Sequence, residues 1–181
     1  MNLLPYDELN ILEKKFTQQK NEGNLKPEKT VDEVLDILIL AYLYGNVAGN
    51  AMLDVDISVD ENEMFKTINK EIAGKTYADR VREYAQQEDV YGISRVVETD
   101  THRVYNHAVQ SVADRSNKKA RKRWSTELDN KVRDTHSYLE GMTVGIDERF
   151  YTYDGDSALY PGDFALVENN ANCRCVIELT E

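Results

Sequence analysis

The stretch W-S-T-E-L-D-N-K-V-R-D-T-H, from Trp124 to His136, decides the fold, together with Asn172-Cys173-Arg174-Cys175 near the C-terminus. These two segments hold the only tryptophan of the 181-residue chain, both of its cysteines and one of its three histidines. Rare residue types concentrated in one region indicate either a functional site or a small, tightly specified fold. The candidate residues, which we expect to be structural, are Trp124, Asp129, Arg133, His136, Gly141, Cys173, Arg174 and Cys175.

The sequence around these residues predicts strands. The segments 143–146, 149–153 and 175–179 alternate apolar and polar residues with the period of two that is typical of strands. Between them, Asp154-Gly155-Asp156 and Pro161-Gly162-Asp163 favour turns. The last part of the chain is therefore expected to contain short strands joined by tight turns.

The sequence before Trp124 predicts helices. An apolar stripe begins at Leu9, and the segment from Val31 to Leu43 is apolar around most of its circumference. Another long helix is predicted from Tyr91 to Asp114, and the small residues 45–51 predict close helix packing. Helices followed by strands indicate an α+β fold, with a mainly helical N-terminal part and a small strand-containing C-terminal subdomain.

Local signals predict where these helices begin. Thr30-Val31-Asp32-Glu33 and Ser58-Val59-Asp60-Glu61 both match the capping box, and Thr76 is expected to cap a helix after Gly74 ends the previous one. Although Gly74-Lys75-Thr76 resembles the end of a phosphate-binding loop, the first glycine of that motif is replaced by Asn69 and the preceding segment is helical. We therefore reject phosphate binding there.

Composition limits the function. The chain has 33 acidic and 22 basic residues, and its formal charge of −11 makes it a poor general DNA binder. The start of the chain, Met1 to Pro5, lacks the basic and apolar parts of a signal peptide, and the most apolar run, Val34 to Leu43, is too short to span a bilayer. Cysteines at C-x-C spacing rarely form a disulfide, which favours a reducing, cytoplasmic compartment. We expect no membrane association.

A basic run contrasts with this acidic total. Six of the nine residues from 115 to 123 are basic: Arg115, Lys118, Lys119, Arg121, Lys122 and Arg123. One interpretation is a solvated helix end and loop, where cations stabilise the helix C-terminus. The other is a local contact to nucleic acid or to an acidic partner, with these six residues as the contacts.

The cysteines and a histidine suggest two kinds of chemistry. His136, Cys173 and Cys175 are the ligand types that zinc prefers, but C-x-C is tighter than the usual spacing and no fourth ligand is evident. A cysteine nucleophile with His136 and Asp134 as base and orienting group is formally available. We predict neither a metal nor a cofactor, and expect both cysteines to pack inward while Arg174 points outward.

These residues resemble the phage Mu F-like, or phage head morphogenesis, family of minor head proteins. The resemblance follows the order W-x₄-D-x₃-R-D-T-H-x₄-G, then Phe150, P-G-D and N-C-R-C, over roughly residues 60–178. Upstream, Glu98-Thr99-Asp100 and the segment from Ile72 to Arg80 are also similar to family members. This chain departs from the family at Asn170 and Ala171, where relatives carry His or Pro, which argues against zinc.

The resemblance implies a head component of a phage or prophage that is not an enzyme. It would act in head morphogenesis, associate with the portal and other capsid proteins and with packaged DNA, and lie inside the capsid after assembly in the host cytoplasm. We accordingly divide the chain into an N-terminal helical arm, residues 1–58, and a head-morphogenesis domain, residues 59–181. The alternatives are a metal- or cysteine-dependent hydrolase that uses His136 with Cys173 or Cys175, and a nucleic-acid-binding module that uses residues 115–123.

Overall fold

A computed structural model describes residues 4–181 of the protein. Residues 1–3, on which part of the signal-peptide prediction rests, lie outside this range. The elements in chain order are α1 (Tyr6–Asn21), α2 (Pro27–Leu53), α3 (Glu61–Ile68), α4 (Tyr77–Gln86), α5 (Val90–Arg115), β1 (Arg121–Ser125), α6 (Asp134–Ser137), β2 (Thr143–Gly145), β3 (Phe150–Tyr151), β4 (Ser157–Ala158), α7 (Val167–Asn170) and β5 (Val176–Thr180). This order confirms the predicted α+β class, with helices first and a small sheet after them.

The helical part is built on the pair α2 and α5. Small residues let the two backbones approach closely, because a Cβ atom on Gly45 would lie 2.4 Å from the carbonyl oxygen of Tyr105. One turn later, a Cβ on Gly49 would lie 2.9 Å from Val112. The prediction of close helix packing over residues 45–51 is confirmed, and residues 4–58 share one core with the rest of the described chain.

The length argument against a membrane span was wrong. Among residues 4–181, α2 is the one helix long and apolar enough to cross a membrane by length and composition, and it runs over 27 residues rather than ten. Half of its most apolar window is buried inside the fold, with Val34 and Leu38 fully enclosed. The apolar face of α2 therefore packs against the core of the same chain, as expected for a buried helix.

Two predicted helix starts were also wrong. The second helix begins at Pro27, a turn before Thr30, because proline favours the first helical position. The Thr30 hydroxyl then lies inside the helix and donates to the carbonyl of Lys26 at 3.0 Å. At the next helix Asp60 is the N-cap and accepts from the Glu63 N–H, so Ser58 lies outside it. The Thr76 cap is confirmed, whereas the preceding helix ends at Ile68 and not at Gly74.

The C-terminal part is a three-stranded antiparallel sheet of order β2-β1-β5, beside a short β3–β4 ribbon. In the central strand, Lys122 and Trp124 are buried while Arg121 and Arg123 are exposed, so one face of the sheet packs on the core. Register places Trp124 opposite Ile177. The inner face of the sheet lies against α5 and α2, which brings the segment before β5 next to the helical core.

Candidate functional site

Trp124 is the centre of an aromatic cluster in the C-terminal part. Its side chain has no exposed surface, and its ring lies 5.6 Å from His136, 5.1 Å from Phe150 and 5.7 Å from Phe164, measured between centroids. The tilted and edge-on arrangements of these rings are favourable for aromatic pairs. Gly141, at a φ of +75°, donates its N–H to the Trp124 carbonyl at 2.9 Å, which closes the turn from α6 to β2.

The structure brings His136, Cys173 and Cys175 together beside this tryptophan. Both sulfur atoms lie 3.5 Å from Nδ1 of His136, and the three potential ligand atoms lie within 4.8 Å of one another. The three side chains are 1, 4 and 3% exposed, respectively. His136 stacks on Phe164 at 5.2 Å, and within residues 4–181 its Nε2 atom has no hydrogen-bond partner.

The two thiols differ in acidity. A hydrogen bond from Cys175 lowers the pKa of Cys173 well below its usual value, and contacts with His136 lower it further against the opposing effect of burial. The same bond and burial raise the pKa of Cys175, which the indole N–H of Trp124 partly offsets. Of the two thiols, Cys173 therefore has the lower pKa, and it lies in an enclosed site next to the His136 imidazole.

Polar side chains fix the segment that carries the cysteines. Arg133 donates to the carbonyl of Asn169 at 3.3 Å and to that of Ala171 at 2.6 Å. Arg174 points away from the core, as predicted, and its Nη2 donates to both carboxylate oxygens of Asp129, at 2.7 and 2.9 Å. The hydrogen bond from Arg174 lowers the pKa of the Asp129 carboxyl.

Asn106 is a residue of this site that the sequence did not reveal. Its side chain, fully buried on α5, donates to the carbonyl of Cys175 at 3.0 Å and accepts from the N–H of Ile177 at 2.9 Å. It thus pairs with the backbone as a neighbouring strand would, and holds the start of β5 against the helix. Because α5 carries many other polar residues, no feature of the sequence singles out Asn106.

A buried ion network joins the upstream segments that carry the family resemblance. Asp100 is fully buried and accepts from Arg80 at 2.7 Å and from Arg103 at 3.0 Å. Arg103 also donates to the Thr67 carbonyl at 2.8 Å. A Cβ on Gly162 would lie 2.7 Å from the Arg103 side chain, so the P-G-D turn packs directly on this network.

The basic run is not a uniform surface. Lys122 is wrong as a nucleic-acid contact, because its side chain has no exposed surface and its Nζ donates to Gln110 at 3.1 Å and to the carbonyl of Ile146 at 2.6 Å. Burial lowers the pKa of Lys122 to about 8. The predicted loop is also wrong in part, since residues 121–125 form β1.

The other basic residues of the run lie at or near the surface. Arg115, Lys119, Arg121 and Arg123 are exposed, and Lys118 is half-buried and pairs with Glu181. Arg121 donates to the carbonyl of Thr143, and Arg123 lies 3.6 Å from Glu140. The accessible charge of the segment is thus carried by five residues rather than six.

The remaining histidines lie in other surroundings. His102 is buried and contacts the Tyr6 hydroxyl and the Glu98 carbonyl. His107 is half-buried between the Tyr160 hydroxyl at 2.8 Å and Glu63 at 3.1 Å. Burial lowers the pKa of His107.

The arrangement around His136 offers little room for a substrate. The cavity next to it has a volume of about 10 Å³ and is lined by residues that include Glu127, Lys131 and Asn172. A space of that size admits about one water molecule. Asp134 is exposed, and within residues 4–181 no hydrogen bond joins it to His136, so the third member of a cysteine–histidine–acid triad is not assembled.

Comparison with curated proteins gives two partial similarities. The chain is 32% identical over 81 residues to the minor head protein GP7 of Bacillus phage SPP1, which covers 44% of this chain and 26% of GP7. It is 40% identical over 55 residues to the NAD(+)--arginine ADP-ribosyltransferase EFV of Enterococcus faecalis, which covers 30% of this chain and 11% of EFV. The chain thus matches about a quarter of one relative and a tenth of the other.

No solved structure matches the protein. Residues 61–178 match the family model described as Phage Mu protein F like protein. This range is more than half of the chain, and it contains Trp124, His136, both cysteines and the ion network around Asp100. The protein therefore belongs to the phage Mu protein F like family.

Proposed function

We propose that the protein is a minor head protein of a phage or prophage, and that it acts in head morphogenesis in contact with the portal and with packaged DNA. The observation that carries the proposal is the family match over residues 61–178, supported by the similarity to GP7, which is named a minor head protein. After assembly in the host cytoplasm, it would lie inside the capsid. Its assembly role would be played through surfaces rather than through catalysis.

The buried cluster supports a role without catalysis. A nucleophilic cysteine must be reached by its substrate, whereas the two thiols here are 4 and 3% exposed and the adjoining cavity admits about one water molecule. Exposed Asp134 also leaves His136 without an acid to orient it. The similarity to EFV does not bear on this, because it covers a tenth of that protein.

The outer face of α2 is the surface that we assign to the portal. Leu43 and Val47 are 38 and 53% exposed and lie one turn apart on the side that faces away from α5. Apolar side chains one turn apart form a continuous patch on a helix. In a head protein, such an apolar patch would be buried against the portal when the head assembles.

Co-expression with the portal protein of the same phage tests this role. The tagged wild-type chain is expected to retain the portal on affinity purification, and a Leu43→Glu, Val47→Glu double variant is expected to lose most of it. Ile11→Glu is the matched control, since Ile11 is an exposed apolar residue on α1. Absence of wild-type association with the portal and with assembled heads would contradict the proposal.

DNA contact is tested separately, by titration at several salt concentrations. Charge reversal of Arg115, Lys119 and Arg121 to Glu is expected to flatten the dependence of log K on log salt by about two to three units, because each phosphate contact releases a counterion. The control reverses three exposed lysines of the helical part, Lys14, Lys20 and Lys26. Equal effects of both sets would remove residues 115–123 as a DNA contact.

A further inference from the structure

The geometry around His136 points to a metal site: we propose that His136 Nδ1 and the sulfur atoms of Cys173 and Cys175 bind one zinc ion that holds the C-terminal fold together. The three atoms come from two distant parts of the chain, α6 and the segment before β5. They converge because the backbone around them is fixed by the helical core. The site lies beyond the assembly role proposed above.

The distances match a tetrahedral zinc site. With Zn–S of about 2.3 Å and Zn–N of about 2.0 Å, neighbouring sulfur and nitrogen ligands lie about 3.6 Å apart. Both sulfur atoms lie 3.5 Å from the same Nδ1. Both sulfur-to-nitrogen distances are therefore already those that zinc requires, and all three ligand atoms lie within 4.8 Å of one another.

Hydrogen bonds among the three side chains explain less well than a metal ion why both sulfur atoms lie next to one nitrogen. A ring nitrogen has either one proton or one lone pair, so Nδ1 forms one good hydrogen bond and not two. A cation at the centre is attracted by all three atoms at once. With Nδ1 on the metal, the ring proton resides on Nε2, which has no hydrogen-bond partner within residues 4–181.

The charge balance suits an enclosed site. A Zn²⁺ ion with two thiolates and a neutral imidazole has no net charge, so the complex can be buried without an unpaired charge. On binding, the protons of both thiols pass to solvent.

The fourth coordination position faces the small cavity. A volume of about 10 Å³ holds about one water molecule, which would complete the tetrahedron and leaves no room for a substrate at that position. Asn170 takes no part in the site, because its side chain bonds to the backbone of Phe164 and Leu166. The departure from the family at residues 170–171 therefore leaves the ligand set intact.

Metal analysis of the full chain, purified under reducing conditions from zinc-supplied cells, is the direct test. We expect about one zinc per wild-type chain and less than about 0.1 per chain in Cys173→Ser, Cys175→Ser and His136→Gln. His107→Gln is the matched control, since His107 contacts Glu63 and Tyr160 instead, and we expect it to retain zinc.

Cobalt substitution keeps the test valid if the ligand variants do not fold. Wild-type protein stripped of metal and loaded with Co²⁺ should show thiolate-to-cobalt charge-transfer absorption, and zinc should displace it with a rise in the thermal midpoint. A wild-type chain that lacks stoichiometric zinc, shows no cobalt–thiolate absorption and keeps its midpoint in EDTA would overturn the proposal. A different metal at one per chain would overturn the assignment to zinc.

Discussion

At Lys122, an ammonium group is enclosed by protein rather than exposed to phosphate. Its Nζ is held by the Gln110 side chain and the Ile146 carbonyl, and the Phe150 ring lies 5.8 Å away. The pKa of Lys122 is about 8 in the fold, below the ordinary lysine value of 10.5, so the unfolded chain binds this proton more tightly. By linkage, the charge destabilises the fold at neutral pH and less so as pH rises.

Lys122→Met tests this at the scale of the residue. From pH 8 to pH 10, wild type should gain about 2 kcal/mol of unfolding free energy relative to the variant, because the folded form loses its proton first. Urea unfolding at a series of pH values measures the difference. Exposed Lys119→Met is the control, and a gain of the same size there would refute the explanation by burial.

At the scale of the element, α2 and α5 meet through glycine. Gly45→Ala places a methyl group 2.4 Å from the Tyr105 carbonyl oxygen and 2.8 Å from Ala108, so the helices must separate. We expect a loss of about 1–3 kcal/mol in unfolding free energy, typical of overpacking. Val47→Ala, on the exposed side of the same helix, should change stability by less than about 0.5 kcal/mol. Chemical denaturation that ranks the two in the opposite order would exclude close packing.

Helix ends show what local sequence signals determine. Thr76 and Asp79 form a capping box, in which the side chain of each accepts a hydrogen bond from the backbone N–H of the other. Both residues lie within one turn, so the sequence alone can specify this motif. At α2, Pro27 begins the helix earlier than Thr30, and at α3 the nearer Asp60 caps in place of Ser58. The capping motif predicted that a helix starts nearby, but competing residues set the position.

For the whole molecule, the network around Asp100 joins α4, α5, the end of α3 and the P-G-D turn. Asp100→Asn leaves Arg103 buried without its carboxylate. We expect the variant to lose about 3–5 kcal/mol of unfolding free energy. Its helical and sheet parts should unfold together, so that the circular dichroism and tryptophan fluorescence transitions coincide. Glu83→Gln, which breaks a surface pair with Lys75, should leave the midpoint nearly unchanged.

Circular dichroism and tryptophan fluorescence report on different parts of the molecule. The fluorescence comes from Trp124, the only tryptophan, which lies in the sheet part. The circular dichroism signal comes mostly from the helices, and most of the helical residues precede residue 116. Separate transitions in Asp100→Asn would mean that the network is local to the helices. The division at residue 58 stays a prediction, and the same probes on a chain lacking residues 1–58 would examine it.

Periodicity, turn residues and motif spacing predict the α+β class, the family and the outward position of Arg174, because they are properties of neighbouring residues. Three other features become visible in the folded chain: the burial of Lys122, the pairing of Asn106 with β5, and the convergence of both sulfur atoms on one imidazole nitrogen. Each depends on contacts between residues far apart in the chain. Such contacts are set by how the helices pack, and no local pattern encodes that packing.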